Sequence, residues 1–176
     1  RAPDVWLRDA GLVDGVWAPS SYTARALEGA AAPVRVVPHP LFLEDYRDIV
    51  PAPRTAEFLA VSLFDFNSAA ARKNPDGVIS AFAQAFGEDP TVRLLMKTQN
   101  GHLFPDHLAR LRRLAPANVT IEDAVWPYAQ VKSLIAGADV LISLHRAEGF
   151  GLTPAEAMAM GTPVIATGWS GNLDFM

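Results

Sequence analysis

Ala138-Asp139-Val140-Leu141-Ile142-Ser143-Leu144 and, further on, Glu148-Gly149-Phe150-Gly151-Leu152-Thr153-Pro154-Ala155-Glu156 decide how this chain folds. The first run is apolar and of strand length, the pattern of a parallel strand buried on both faces. The second opens on a glycine turn and closes on helix-start residues. Thr153 suits an N-cap, Pro154 the first helical position and Glu156 the N3 site of a capping box, which predicts a helix beginning at 153 or 154. The glycines therefore stand at the carboxyl end of a strand, on the edge where open α/β sheets bind ligands. Two carboxylates, Glu148 and Glu156, flank that turn. Backbone N–H groups at a helix start favour an anion, and ionised carboxylates accept strongly from vicinal hydroxyls, so the combination suits a sugar nucleotide. Each acid also has a plainer use, Glu156 as a capping glutamate and Glu148 as a solvated loop acid.

The same alternation runs upstream and downstream. Apolar patterning predicts strands at 57–63, 92–97, 119–122, 139–144 and 163–167, and helices at 75–86, 105–114, 127–136 and 154–160. Alternating elements with short connections call for an α/β fold, a Rossmann-like parallel sheet with helices on both faces. Before them, 13–20 reads as a strand, 21–28 as a helix capped by Ser20 or Ser21, and 34–38 as another strand. A proline-rich stretch at 50–54 separates the two series, giving one unit at 1–50 and a second at 55–176. The second stops as another helix begins, and the chain starts at Arg1 rather than methionine, so a fragment or a processed chain is expected.

Arg72-Lys73-Asn74-Pro75-Asp76-Gly77 is a second point of interest. Asn74 suits an N-cap and Pro75 the first helical position, while Val78, Ile79, Phe82 and Phe86 give the helix an apolar face. Two cations just outside a helix N-terminus oppose the helix dipole, an arrangement that makes sense with an anion between them. A solvated basic pair is the simpler alternative. Lys97, after a strand, is a further cationic candidate or else a surface residue.

Composition narrows the class. Half of the 176 residues are apolar, enough for a sizeable core. A formal net charge of −4 leaves no general basic footprint for nucleic acid. There is no cysteine, so disulfides and thiolate metal sites are excluded. No run reaches the roughly 18 apolar residues of a membrane span and no signal-peptide pattern appears, so membrane association is not indicated and a cytoplasmic location is expected. The glycines around 149–151 do not make G-x-G-x-x-G, because Pro154 stands at the third position, and Ser170 lacks a G-x-S-x-G elbow. His39, His102, His107 and His145 form no i, i+4 ligand pair, and there is no Asp-x-Asp. Neither a metal nor a cofactor is expected. Trp126, Trp169 and Phe150 have faces for stacking on a base or sugar, and equally for packing.

The stretch from Ala138 to Met176 resembles the donor-site signature of retaining GT-B glycosyltransferases of the family 4 (group 1) type, above all in Glu148-Gly149-Phe150-Gly151-Leu152 and Pro154-Ala155-Glu156-Ala157-Met158-Ala159-Met160-Gly161-Thr162-Pro163-Val164-Ile165-Ala166. The resemblance implies a carboxyl-terminal donor-binding domain at 55–176, preceded at 1–50 by the tail of an acceptor domain. It implies transfer of a sugar from a nucleotide diphosphate with retention and without a metal, to an acceptor (sugar, lipid or protein) that the residues do not specify. Glu148 would contact the transferred sugar and act in catalysis. Phe150, Gly151, Leu152 and Thr153 would present N–H groups to sugar and diphosphate, Gly149 would belong to the same donor-binding turn, and Glu156 would hold the ribose. Lys73 matches a diphosphate-gripping lysine of the family. Many members carry an arginine where this chain has Asn67, a departure that leaves Arg72, on a longer loop at 64–71, to supply the second charge. A binding module that holds a nucleotide sugar without turnover is the alternative, and 1–176 alone, lacking most of an acceptor half, is expected to be inactive.

Overall fold

The computed structural model describes all of residues 1–176. Its elements are α1 (Asp4–Asp9), β1 (Val16–Ala18), α2 (Ser21–Ala26), β2 (Val34–Val36), α3 (Glu44–Arg47), β3 (Phe58–Asp65), α4 (Ala70–Lys73), α5 (Pro75–Phe86), β4 (Val92–Gln99), α6 (Pro105–Leu114), β5 (Val119–Asp123), α7 (Tyr128–Gly137), β6 (Val140–Ser143), α8 (Leu152–Ala159) and β7 (Val164–Ala166). β1 and β2 form a two-stranded parallel sheet. The other five strands form one parallel sheet in the order β5-β4-β3-β6-β7.

Side-chain alternation along the strands explains the two helical layers. Ala60, Leu94 and Met96 point to one face and pack with Val78, Ile79 and Phe82 of α5 and Leu108 and Leu111 of α6. Val61 and Leu141 point to the other, where Leu134 and Ile135 of α7 and Ala157 of α8 cover them. The chain steps outward from β3 through β4 to β5, then crosses back so that β6 lies on the far side of β3. This reversal places a crevice between the carboxyl ends of β3 and β6, the place where such sheets receive ligands.

The segment between the two sheets is strapped along α7. The Ala52 N–H donates to the Ser133 carbonyl at 2.9 Å and the Ser133 hydroxyl to the Val50 carbonyl at 2.7 Å. Asp139, at the start of β6, accepts from the Leu59 N–H at 2.8 Å and pairs with Arg54. No helix is long and apolar enough to cross a membrane.

Four expectations of local structure are corrected. α8 begins at Leu152, ahead of the expected 153 or 154, with Gly151 as N-cap in the left-handed region at φ 98°, and no side chain caps it. Thr153 and Glu156 thus form no capping box. Asn74 does not cap α5; it is left-handed at φ 56° and its amide donates to the Leu144 carbonyl at 2.9 Å, a contact across the sheet edge that displaces the local bond. Residues 64–71 are no open loop, since β3 continues to Asp65 and a 3₁₀ turn and α4 follow. At the end of the chain, 171–174 form a 3₁₀ turn. Ser20 does cap α2, accepting from the Thr23 N–H.

Candidate functional site

α4 follows β3 and the glycine turn follows β6, so the strand reversal brings Arg72, Lys73 and Glu148 to one edge. The Glu148 carboxylate lies between the two cations, with Arg72 Nη1 2.8 Å from Oε2 and Lys73 Nζ 2.5 Å from Oε1. Glu148 is 8% exposed. Burial pushes its carboxyl up, but the Lys73 and Arg72 charges and hydrogen bonds outweigh this and hold it below the ordinary range, so it is ionised near neutrality.

The pairing leaves donors over. Lys73 spends one N–H on Glu148, and Arg72 is anchored through Nε to the Ser68 carbonyl at 3.2 Å and through Nη1 to the Ala147 carbonyl at 2.9 Å, with Nη2 unpartnered. One carboxylate between two cations leaves a net charge of +1 at the edge. The N–H groups of Phe150, Gly151, Leu152 and Thr153 donate to no protein acceptor, while the Ala155 N–H closes the first helical bond on Gly151. Pro154 in the first turn has no N–H to leave unpaired.

The glycine turn is held from outside. The Gly149 carbonyl accepts from the Ser20 hydroxyl at 2.5 Å and from Thr23 Oγ1 at 3.1 Å. The Glu148 N–H donates to Ser170 Oγ at 2.8 Å. Gly171 packs so closely that a Cβ there would lie 2.2 Å from the Gly149 oxygen. His145 is fully buried, with Nδ1 3.0 Å from Ser143 Oγ and Nε2 facing the Trp169 carbonyl and the Asn172 side-chain oxygen. Two acceptors at Nε2 put the proton there and make His145 a satisfied structural tie. Arg146 donates to the Ala71 carbonyl at 2.7 Å, which joins the turn to α4.

Two hollows meet along this edge and share Leu63, Lys73 and Thr153. A smaller one of about 100 Å³ lies over Glu148, Gly151 and Leu152. A larger one of about 340 Å³ extends past Thr98, Trp126 and Tyr128 at the ends of β4 and β5. Of the residues singled out in the sequence, Lys73, Glu148, Gly151, Leu152 and Thr153 line these hollows, and Arg72 joins them at the edge through its pair with Glu148. Phe150 turns its side chain inward against His39 and Phe175, at ring distances of 5.3 and 5.1 Å. Glu156 is buried and lines neither hollow; its Oε1 accepts from the Tyr128 hydroxyl and from Tyr46 Oη at 3.3 Å. The two tyrosines escaped sequence reasoning because they lie 110 and 28 positions from Glu156.

Lys97 is a correction too, buried rather than on the surface. Its ammonium donates to the Thr98 and Ala124 carbonyls and lies 5.0 Å above the Trp126 ring. Burial lowers its pKa, against the raising influence of Glu122 and Asp123. Lys97 thus shapes the wall of the larger hollow and covers one face of Trp126. The Thr98 hydroxyl is buried there without a partner.

Residues 63–176, from the end of β3 onward, match the model of the family described as "Glycosyl transferases group 1". The chain belongs to this family. It is 38% identical over 98 residues to a D-inositol 3-phosphate glycosyltransferase of Segniliparus rotundus, a match covering 53% of this chain and 22% of that protein. Among solved structures, HepE of Anabaena, in complex with UDP and glucose, superposes with a TM-score of 0.74 at 19% identity over 93% of this chain and 47% of that one. The pneumococcal O-GlcNAc transferase GtfA, in complex with UDP and GlcNAc, gives 0.71 at 17% identity over 98% and 34%. These are GT-B enzymes, and the five-stranded sheet has the GT-B arrangement. The chain spans half or less of the length of each of these proteins.

Proposed function

We propose that this glycosyltransferase is a retaining enzyme, acting in the cytoplasm, that transfers a hexosyl group from a nucleotide diphosphate donor without a metal ion. Residues 1–50 are read as the tail of its acceptor domain and 55–176 as its donor domain. The observation that carries the reading is the Arg72–Glu148–Lys73 cluster at the strand reversal, beside four unpaired N–H groups at the start of α8. The diphosphate takes the remaining donors of Lys73 and Arg72 and the N–H groups of 150–153. The transferred sugar lies over the smaller hollow with a hydroxyl on Glu148, and base and ribose extend into the larger hollow towards Trp126 and Glu156. Positive charge and amide dipoles fixed where the leaving diphosphate becomes more negative stabilise the transition state. As the bond from anomeric carbon to leaving oxygen breaks, the acceptor oxygen forms its bond on the same face, and a phosphate oxygen takes the acceptor proton. Arg72 supplies the second charge that the family places at the position of Asn67.

The UDP in the related complexes makes uridine the first base to try, and the acceptor is left to experiment. Calorimetry on the complete protein with UDP, GDP and ADP and their glucose conjugates tests the donor site, and a radiolabelled transfer assay run with EDTA tests turnover and metal independence. Binding of one pair with EDTA-insensitive transfer is expected. Binding without transfer to any acceptor would make the protein a binding module, and no binding would remove the reading.

A further inference from the structure

Glu156 is an acidic side chain in a nearly closed site, and its two oxygens stand in different surroundings. Oε1 accepts from two phenols, Tyr128 of α7 and Tyr46 of α3. Two donors fill the two lone-pair directions of one carboxylate oxygen. Oε2 has no protein partner, yet it is not among the sealed, unpartnered polar atoms, so it is the one acceptor of this residue left for another molecule. The phenols are themselves held. Lys132 places its ammonium 5.3 Å from the Tyr46 ring and 4.8 Å from the Tyr128 ring, and donates to the Asp45 carbonyl at 3.1 Å, fixing α3 against α7. Tyr128 also lines the larger hollow, so the arrangement is continuous with the site.

We propose that Tyr128 and Tyr46 are positioning residues, which clamp Glu156 through Oε1 and turn Oε2 towards the ribose hydroxyls of the donor. The inference rests on the reading of Glu156 as the ribose-binding acid. A free glutamate must lose side-chain rotamers when it binds a hydroxyl, and the clamp removes that cost beforehand. Burial first, then the Glu156 hydrogen bond and charge, raise the Tyr128 pKa; burial also raises that of Tyr46, with the hydrogen bond from Tyr128 acting against it and the Glu156 charge and bond adding to it. Both phenols therefore keep their protons and remain donors.

The test uses the complete protein and calorimetry with UDP, GDP and ADP beside their 2′,3′-dideoxy counterparts. For the best-bound base, wild type is expected to prefer the ribose form by about tenfold or more, the scale of hydrogen bonds to a charged group. Glu156→Gln should lower that preference. Tyr128→Phe with Tyr46→Phe keeps both rings and removes only the hydroxyls; it should cut the preference to about a third or less and leave dideoxy affinity within about twofold. Tyr46→Phe alone, which keeps the second donor, should fall between. If the double variant retains the full ribose preference, the clamp is overturned while the ribose role of Glu156 stands. Equal losses for ribose and dideoxy ligands show a merely structural role and overturn it as well. If Glu156→Gln leaves the preference untouched, the ribose reading falls and the proposal with it.

Discussion

Glu148 faces two demands, because the cations it neutralises are those assigned to the diphosphate. Removing its charge should therefore affect two ligands in opposite senses. Glu148→Gln is expected to strengthen nucleoside diphosphate binding several-fold, since Lys73 and Arg72 lose a competing anion, and to erase the gain from an attached sugar. Calorimetry with the diphosphate and its sugar conjugate reads both, and equal changes would remove Glu148 from the sugar. Lys73→Ala should weaken diphosphate binding by about 1.5 to 3 kcal/mol and nucleoside binding little. The same cluster links stability to pH. The Glu148 carboxyl is held below its unfolded value of 4.5, so its contribution is present above that value and lost as pH falls through the lower folded pKa. Melting curves should show Glu148→Gln about 1 to 3 kcal/mol less stable at pH 7, a figure reduced for the partial exposure of the cations, with the gap closing below pH 4.5. A constant gap down to pH 3 would count against the ion pairs.

At the scale of elements, the glycine turn and α8 form a unit braced by the 3₁₀ turn at 171–174. Gly171→Ala puts a methyl against the Gly149 carbonyl, and neither backbone can yield cheaply. A loss of about 1 to 3 kcal/mol is expected, as for overpacking, together with weaker diphosphate binding because the N–H groups of 150–153 shift. Thermal melts beside a UDP titration check this, and an unchanged melting temperature would show that the turn is not braced there. The elements themselves were legible from apolar periodicity, and every strand of the five-stranded sheet lies where Val, Leu and Ile runs placed it. The helix ends were less so. Thr153 and Asn74 are good caps by local chemistry, but a left-handed Gly151 and the Leu144 carbonyl outcompete them. Six of the expected site residues meet at the edge because alternation makes the sheet parallel, which puts every strand-to-helix turn at its carboxyl edge. The tyrosine clamp was illegible because it depends on where a distant connection docks.

At the scale of the whole molecule, apolar burial is uneven. Both hydrophobic clusters draw only on residues from Leu59 onward, while before residue 50 Leu7, Ala18 and Ala32 are the buried apolar residues and Trp6, Leu12 and Trp17 are exposed. A two-stranded sheet has little stability of its own, so β1 and β2 depend on their polar attachment to the larger sheet's edge. That attachment is Ser20 and Thr23 on the Gly149 carbonyl, the Ser21 N–H on Asp174 at 2.6 Å, and Tyr22 against Trp169 at 5.6 Å. In the 176-residue chain, amides of β1 and β2 are expected to exchange with deuterium far faster than those of β3 and β4, which open only with the core. Asp174→Ala, which removes a charge-assisted bond, should speed exchange in β1 and β2 by about tenfold. Exchange in β3 and β4 should stay as it was. Mass-resolved exchange on wild type and variant separates the outcomes, since equal acceleration throughout would mean that residues 1–40 share one cooperative unit with the five-stranded sheet. Selective acceleration would place the turn that holds Glu148 at the joint between a stable sheet and a loosely attached neighbour. Ser20 and Thr23 would then tie that joint to the Gly149 carbonyl, next to the amides proposed for the diphosphate.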